Sequence, residues 1–118
     1  MSYDIFLRCP ACGQSPDRLS PTYNLGQIFR LALQPLDNGI YSLEGLTGHI
    51  SLPWLRGALE RLVAPSRQEE FRALEPANGW GTLNDARKTI ETMIDYATRF
   101  PISLWDLGGE RKGADGDA

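Results

Sequence analysis

Residues 82–100, TLNDARKTIETMIDYATRF, restrict the fold more than any other stretch of this chain. Leu83, Ala86, Ile90, Met93, Ile94, Ala97 and Phe100 recur at three- and four-residue intervals, which puts them on one face of a helix. Thr82 and Asp85 have the spacing of an N-terminal cap. Arg87 with Glu91, and Asp95 with Arg99, stand four apart on the polar face, where opposite charges support a helix. Pro101 ends it. A chain with one such helix must supply other elements to cover its apolar face.

Two further helices are predicted with clear limits. In 51–64, Leu52, Leu55, Leu59 and Leu62 form a stripe, Ser51 suits the cap, Pro53 falls in the first turn and Pro65 stops the element. In 25–34, Leu25, Ile28, Phe29 and Leu33 share a face, with Asn24 or Thr22 as cap. A shorter helix over 66–75 opens with Ser66 and Glu69 at capping-box spacing and ends before Pro76. Residues 40–50 are ambiguous, and Gly45 and Gly48 oppose a long helix there. Residues 3–8 and 102–107 alternate like strands. Neither has another partner, so they are expected to pair and to lie on the last helix, with Trp105 or Leu104 against Met93 or Ala97.

The resulting fold class is α+β, mostly α: a small helical bundle with a two-stranded ribbon made by the N- and C-terminal strands. With 118 residues and 42% hydrophobic content, a single domain over 1–108 has a sufficient core without disulfides. Residues 109–118 contain no large apolar side chain and read as a disordered tail. There is no apolar run of the roughly 20 residues that cross a bilayer and no signal-peptide pattern, so the expectation is a cytoplasmic protein with no membrane partner. Twelve basic and fifteen acidic residues are intermixed, for a net charge of −3. That mixture argues against a nucleic-acid partner, which selects a basic stripe.

CPACG, at residues 9–13, has the pattern in which one half of a small zinc site is commonly written, and equally that of a plain tight turn with free thiols. Cys9 and Cys12 can present two sulfurs to one ion from a tight turn whose free N–H groups stabilise thiolates, and Gly13 permits the closing conformation. A structural zinc site takes four ligands. The chain has no other cysteine, and His49 is its only histidine. A site within one chain would need His49 and a carboxylate such as Asp17 or Glu44. Otherwise two chains could share an ion in a homodimer, or the turn stands vacant and no cofactor is held. The vacant turn is the expectation from sequence. A redox role is disfavoured because Gly13, Ser15 and Pro16 oppose the helix that activates such a thiol.

NGWGT, at 78–82, places Trp80 between two glycines at the start of the last helix. Asn78, Gly79, Trp80 and Gly81 supply the parts of a nucleotide pocket: close backbone approach, a stacking face and a helix N-terminus for an anion. The same residues equally make a tight corner, with Gly79 and Gly81 at positive φ and Trp80 as a core plug. His49 has no catalytic partners at recognisable spacing, and no phosphate-binding loop appears, so an enzyme is the weaker class.

Three segments, CPACG (9–13), PTYNLGQIF (21–29) and FRALEPANGWGTL (71–83), resemble a group of small uncharacterised proteins encoded by tailed bacteriophages. Where those relatives often read THN, this chain reads TYN, so no role of that histidine carries over to Tyr23. The resemblance implies an accessory or counter-defence product that binds a host protein or a small ligand in the bacterial cytoplasm. It adds Tyr23 and Asn24 to the candidate ligand residues. The alternative is a zinc-knuckle nucleic-acid accessory module, built as a metal-linked dimer.

Overall fold

The computed structural model describes residues 2–77, 79 and 81–107. The expectations placed on Asn78, Trp80 and the tail 109–118 fall outside those residues. Strand β1 (Ile5–Arg8) is followed by helices α1 (Gly26–Ala32), α2 (Gly48–Val63), α3 (Gln68–Arg72) and α4 (Leu83–Arg99), and strand β2 (Leu104–Leu107) comes last. A 3-10 turn over Gly39–Leu43 joins α1 to the approach of α2. Among the described residues no helix is long and apolar enough to cross a membrane.

The two strands pair antiparallel, with Ile5 opposite Leu107 and Leu7 opposite Trp105. Because side chains alternate between faces, this register sends Ile5, Leu7, Trp105 and Leu107 into the core together. On the outer face Arg8 Nε donates to Asp106 Oδ2 at 2.9 Å. An isolated two-stranded ribbon is marginal in water, and here each edge has a further backbone partner. Leu19 and Ile5 exchange N–H···O bonds of 2.9 and 3.0 Å, and on the far side Trp105 does the same with Gly45 and Leu46 at 2.9 and 3.0 Å. The ribbon is therefore the centre of four adjacent extended segments, with 19–22 and 45–47 outermost.

Helix α4 carries the expected capping box: Thr82 Oγ1 accepts from the Asp85 N–H, and Asp85 returns the bond to the Thr82 N–H. Leu83, Ala86, Ile90, Met93 and Ala97 are buried on its inner face. Phe100 departs from the expected stripe, since the backbone leaves the helix there and the ring stays 37% exposed; Tyr96 takes the inward position instead. Trp105 is buried in the same core as Met93 and Ala97, whereas Leu104 faces outward.

Helix α2 begins earlier than its sequence signals suggest. Thr47, not Ser51, is the cap, accepting from Ile50 N–H at 3.1 Å. The first two amides of the helix, on Gly48 and His49, donate to the carbonyls of Ser103 and Pro101, each at 2.9 Å. Those bonds come from the other end of the chain, so the glycine-containing run is helical for a reason that no local pattern contains. Pro53 consequently lies inside the helix rather than in its first turn. Ser51 is fully buried; its hydroxyl donates to the Gly48 carbonyl and accepts from Trp105 Nε1 at 2.8 Å.

The helix expected over 66–75 is also shorter. A 3-10 turn over Pro65–Arg67 leads into α3, and no Ser66 cap bond forms. Gln68 is used to close the preceding helix, donating to Leu62 and Ala64 carbonyls at 2.9 and 3.0 Å. Arg61 does the same for α1, its Nη1 reaching the carbonyls of Ala32 and Gln34 at 2.7 Å each. Helix ends leave such carbonyls without partners, and long side chains from neighbouring elements satisfy them here.

Candidate functional site: a polar groove and a thiol turn

The segments 21–29 and 71–83, far apart in sequence, meet in space. Between them lies a groove of about 580 Å³, with Tyr23, Asn24, Gln27 and Arg30 on one wall and Leu74 and Glu75 on the other. A 3-10 turn, Tyr23–Leu25, capped by Thr22, runs directly into α1. Asn24, Gln27 and Arg30 thus recur at three-residue spacing and point their polar ends away from the buried Leu25, Ile28 and Phe29. Beyond the groove, Gly81 adopts φ +108, and a β-carbon there would lie 2.9 Å from Thr22 Cγ2 and 3.0 Å from Leu25 Cδ2. Gly79 is at φ +75. Both glycines therefore have the backbone that a tight corner requires, and Gly81 seats that corner on the start of α1.

The start of α4 is less available to an anion than its position suggests. Glu75 Oε2 already accepts from the Leu83 N–H at 2.6 Å, and Asp85 sits in the first turn. A carboxylate at a helix N-terminus takes the place a phosphate would occupy. The cationic partner in the groove is Arg30 instead. Among the described residues its guanidinium makes no ion pair or hydrogen bond, and its field acts on the Tyr3 phenol. Burial pushes the Tyr3 ionisation up, Arg30 draws it back, and Tyr23 adds to the rise.

Tyr23 packs edge-on against Tyr3 with ring centroids 4.7 Å apart. Its hydroxyl is shielded from solvent and has no hydrogen-bond partner among the described residues. A buried hydroxyl without a partner costs about 1–3 kcal/mol. Tyr23→Phe is therefore expected to raise stability by about 1 kcal/mol, seen as a thermal midpoint several degrees higher in calorimetry. A fall of the same size would mean that the hydroxyl is bonded in solution.

The CPACG turn follows β1 on the opposite side of the ribbon's end. The Cys9 amide donates to the Gln14 carbonyl and the Gly13 amide to the Cys9 carbonyl, both at 2.8 Å, and Gly13 sits at φ +75. The Cys12 side chain, followed by the Cys12 and Ala11 amides, holds the Cys9 thiol below its usual range. Cys9 is half-buried and Cys12 exposed. Among the described residues no three of His, Cys, Asp and Glu gather as a metal site, so His49, exposed at the start of α2, does not join the two thiols.

No family model, curated protein or solved structure matches this chain. Its chemistry therefore rests on its own residues. The two clusters differ in kind: the groove offers hydrogen-bond donors and the Arg30 guanidinium, and the turn offers two sulfurs. Of the residues on the groove, Tyr23 and Asn24 were candidates from sequence, whereas Arg30, Gln27 and Glu75 were not. The signal for the first two was present as a polar repeat, 24–27–30, on an otherwise apolar helix. Glu75 had none, because its role depends on where α4 begins.

Proposed function

We propose that this protein works by binding rather than by catalysis, as an accessory product of a tailed bacteriophage in the cytoplasm of its host, and that the groove between residues 23–30 and 73–76 takes a small anionic ligand. The single observation that carries this reading is Arg30: among the described residues its guanidinium has no ion pair or hydrogen bond, and it stands on the groove beside Asn24 and Gln27. A carboxylate or phosphate would satisfy the guanidinium bidentately. The phage setting rests on the sequence resemblance alone. Sequestering such a ligand, or blocking the host protein that uses it, is the counter-defence role that follows.

The test is an NMR titration of the full chain with nucleoside monophosphates and triphosphates, dicarboxylates and inorganic phosphate. At least one probe should give saturable shifts at Tyr3, Tyr23, Gln27 and Arg30, and Arg30→Ala should abolish them. Shifts from none of these anions, or shifts that survive in Arg30→Ala, would overturn the reading. The alternative, a zinc-knuckle nucleic-acid accessory module, draws its support from the sulfur turn. A low-salt gel shift separates the two, because binding to nucleic acid weakens steeply as salt is added.

A further inference from the structure

We propose that the CPACG turn is half of a tetrathiolate site for a soft divalent cation of the zinc class, completed by the same turn of a second copy of this chain. This goes beyond the groove reading and is independent of it, since the two sites share no residue.

The closed turn, held by the Cys9 amide on the Gln14 carbonyl and the Gly13 amide on the Cys9 carbonyl, brings Cys9 and Cys12 to the lining of one groove. Two cysteines separated by two residues on one tight turn are a common way for a chain to offer two sulfurs to a single zinc-class ion. Two sulfurs leave a tetrahedral ion two ligands short. Among the described residues this chain brings no third His, Cys, Asp or Glu to them. A two-fold axis through the ion supplies the missing pair with identical geometry, because one turn then faces its own copy. Half-exposed Cys9 and fully accessible Cys12 stand where a second copy can reach them.

The surroundings suit the same occupant. A groove of about 460 Å³ runs from the two cysteines along Phe100, Pro101 and Ile102. Ile102 is 73% exposed, and Phe100 and Leu104 are each 37% exposed, among the most accessible large apolar side chains described. A second copy docked through the ion would cover this rim and its own equivalent at once. Binding is a proton-releasing step: four thiols give up four protons to solvent as four metal–sulfur bonds form, with no change in oxidation state.

The experiment adds cobalt(II) to the full-length chain under argon with a phosphine reductant, which keeps the thiols from forming a disulfide. The expected result is the visible absorption of tetrahedral tetrathiolate cobalt, saturating at one metal per two chains, together with a shift from monomer to dimer by light scattering. Cys12→Ser should lose both signals while its circular dichroism stays unchanged, because neither cysteine belongs to the core. Ile102→Asp should keep the cysteines yet weaken the metal-dependent dimer. One metal per monomer, no metal uptake, or a dimer indifferent to metal and to Cys12→Ser would each overturn the proposal. None of these outcomes bears on Arg30 or on ligand binding in the groove.

Discussion

Trp105→Ala is expected to cost about 3–5 kcal/mol. Among the described residues Trp105 is the largest fully buried side chain, 2% exposed, and it belongs to a strand of only four residues. Its removal takes away apolar area and also a side-chain hydrogen bond from the ribbon to α2, the indole N–H to Ser51 Oγ. Total stability for a chain of this size is about 6–18 kcal/mol at the usual 0.05–0.15 per residue, so a loss of this size removes a substantial part of it. Urea unfolding followed by fluorescence measures it. Ser51→Ala leaves the indole buried and unbonded, at about 1–3 kcal/mol. Trp105→Phe combined with Ser51→Ala should cost less than the two single changes added together, since both remove one shared bond. A Trp105→Ala loss below about 1 kcal/mol, the level of an ordinary surface change, would show that the indole is not buried in solution.

Two glycines on one helix should respond to alanine with opposite signs. At Gly48 an added β-carbon would lie 2.8 Å from the Phe100 carbonyl oxygen and 3.0 Å from Ala97 Cα. Both are backbone atoms, which cannot rotate away, so α2 must lift from α4 at the point where it is capped by Ser103 and Pro101. Overpacking of this kind costs about 1–3 kcal/mol, whereas alanine's better helix propensity returns at most about 1. The clash wins, and a net loss of about 2 kcal/mol is expected. At Gly57, in the middle of the same helix, a β-carbon meets nothing within 4 Å. There only the propensity term remains, and Gly57→Ala should gain about 0.5–1 kcal/mol. Denaturant midpoints of the two variants decide it. A stable Gly48→Ala chain would mean that α2 and α4 stand further apart than the Gly48–Ala97 approach allows.

The elements that could be read from the sequence are those whose causes are local. Helix α4 announces itself through a capping box and a periodic apolar face, and the two strands through alternation, although each in fact has a second extended neighbour. The start of α2 could not be read, because the amides of Gly48 and His49 are satisfied by carbonyls more than fifty residues away. Ser51 looked like a cap for the same reason, although its hydroxyl is the buried acceptor for Trp105. The extended segments 19–22 and 45–47 carry no strand signal of their own; they become regular only against edges that already exist. In the groove, Tyr23 and Asn24 were legible by resemblance. Arg30 gains its meaning only when residues 73–76 close the other wall.

The central ribbon joins residues 5–8 to residues 104–107, and Arg8 reaches across 98 positions to Asp106. During synthesis the apolar pair Ile5 and Leu7 therefore leaves the ribosome with no β2 to meet. At about 5–20 residues per second, that interval lasts roughly 5–20 s before Trp105 is made. Contacts of such sequence separation also form late and slowly by their loop-closure cost. The nascent chain must shelter its first strand some other way, and the immediately following segment 19–22, which bonds Tyr3 and Ile5 from the opposite edge, is the first partner to emerge. That short clasp makes the early chain a hairpin in waiting, so a defect at Leu19 or Pro21 should show first as lost yield during translation rather than as lost stability of the finished protein.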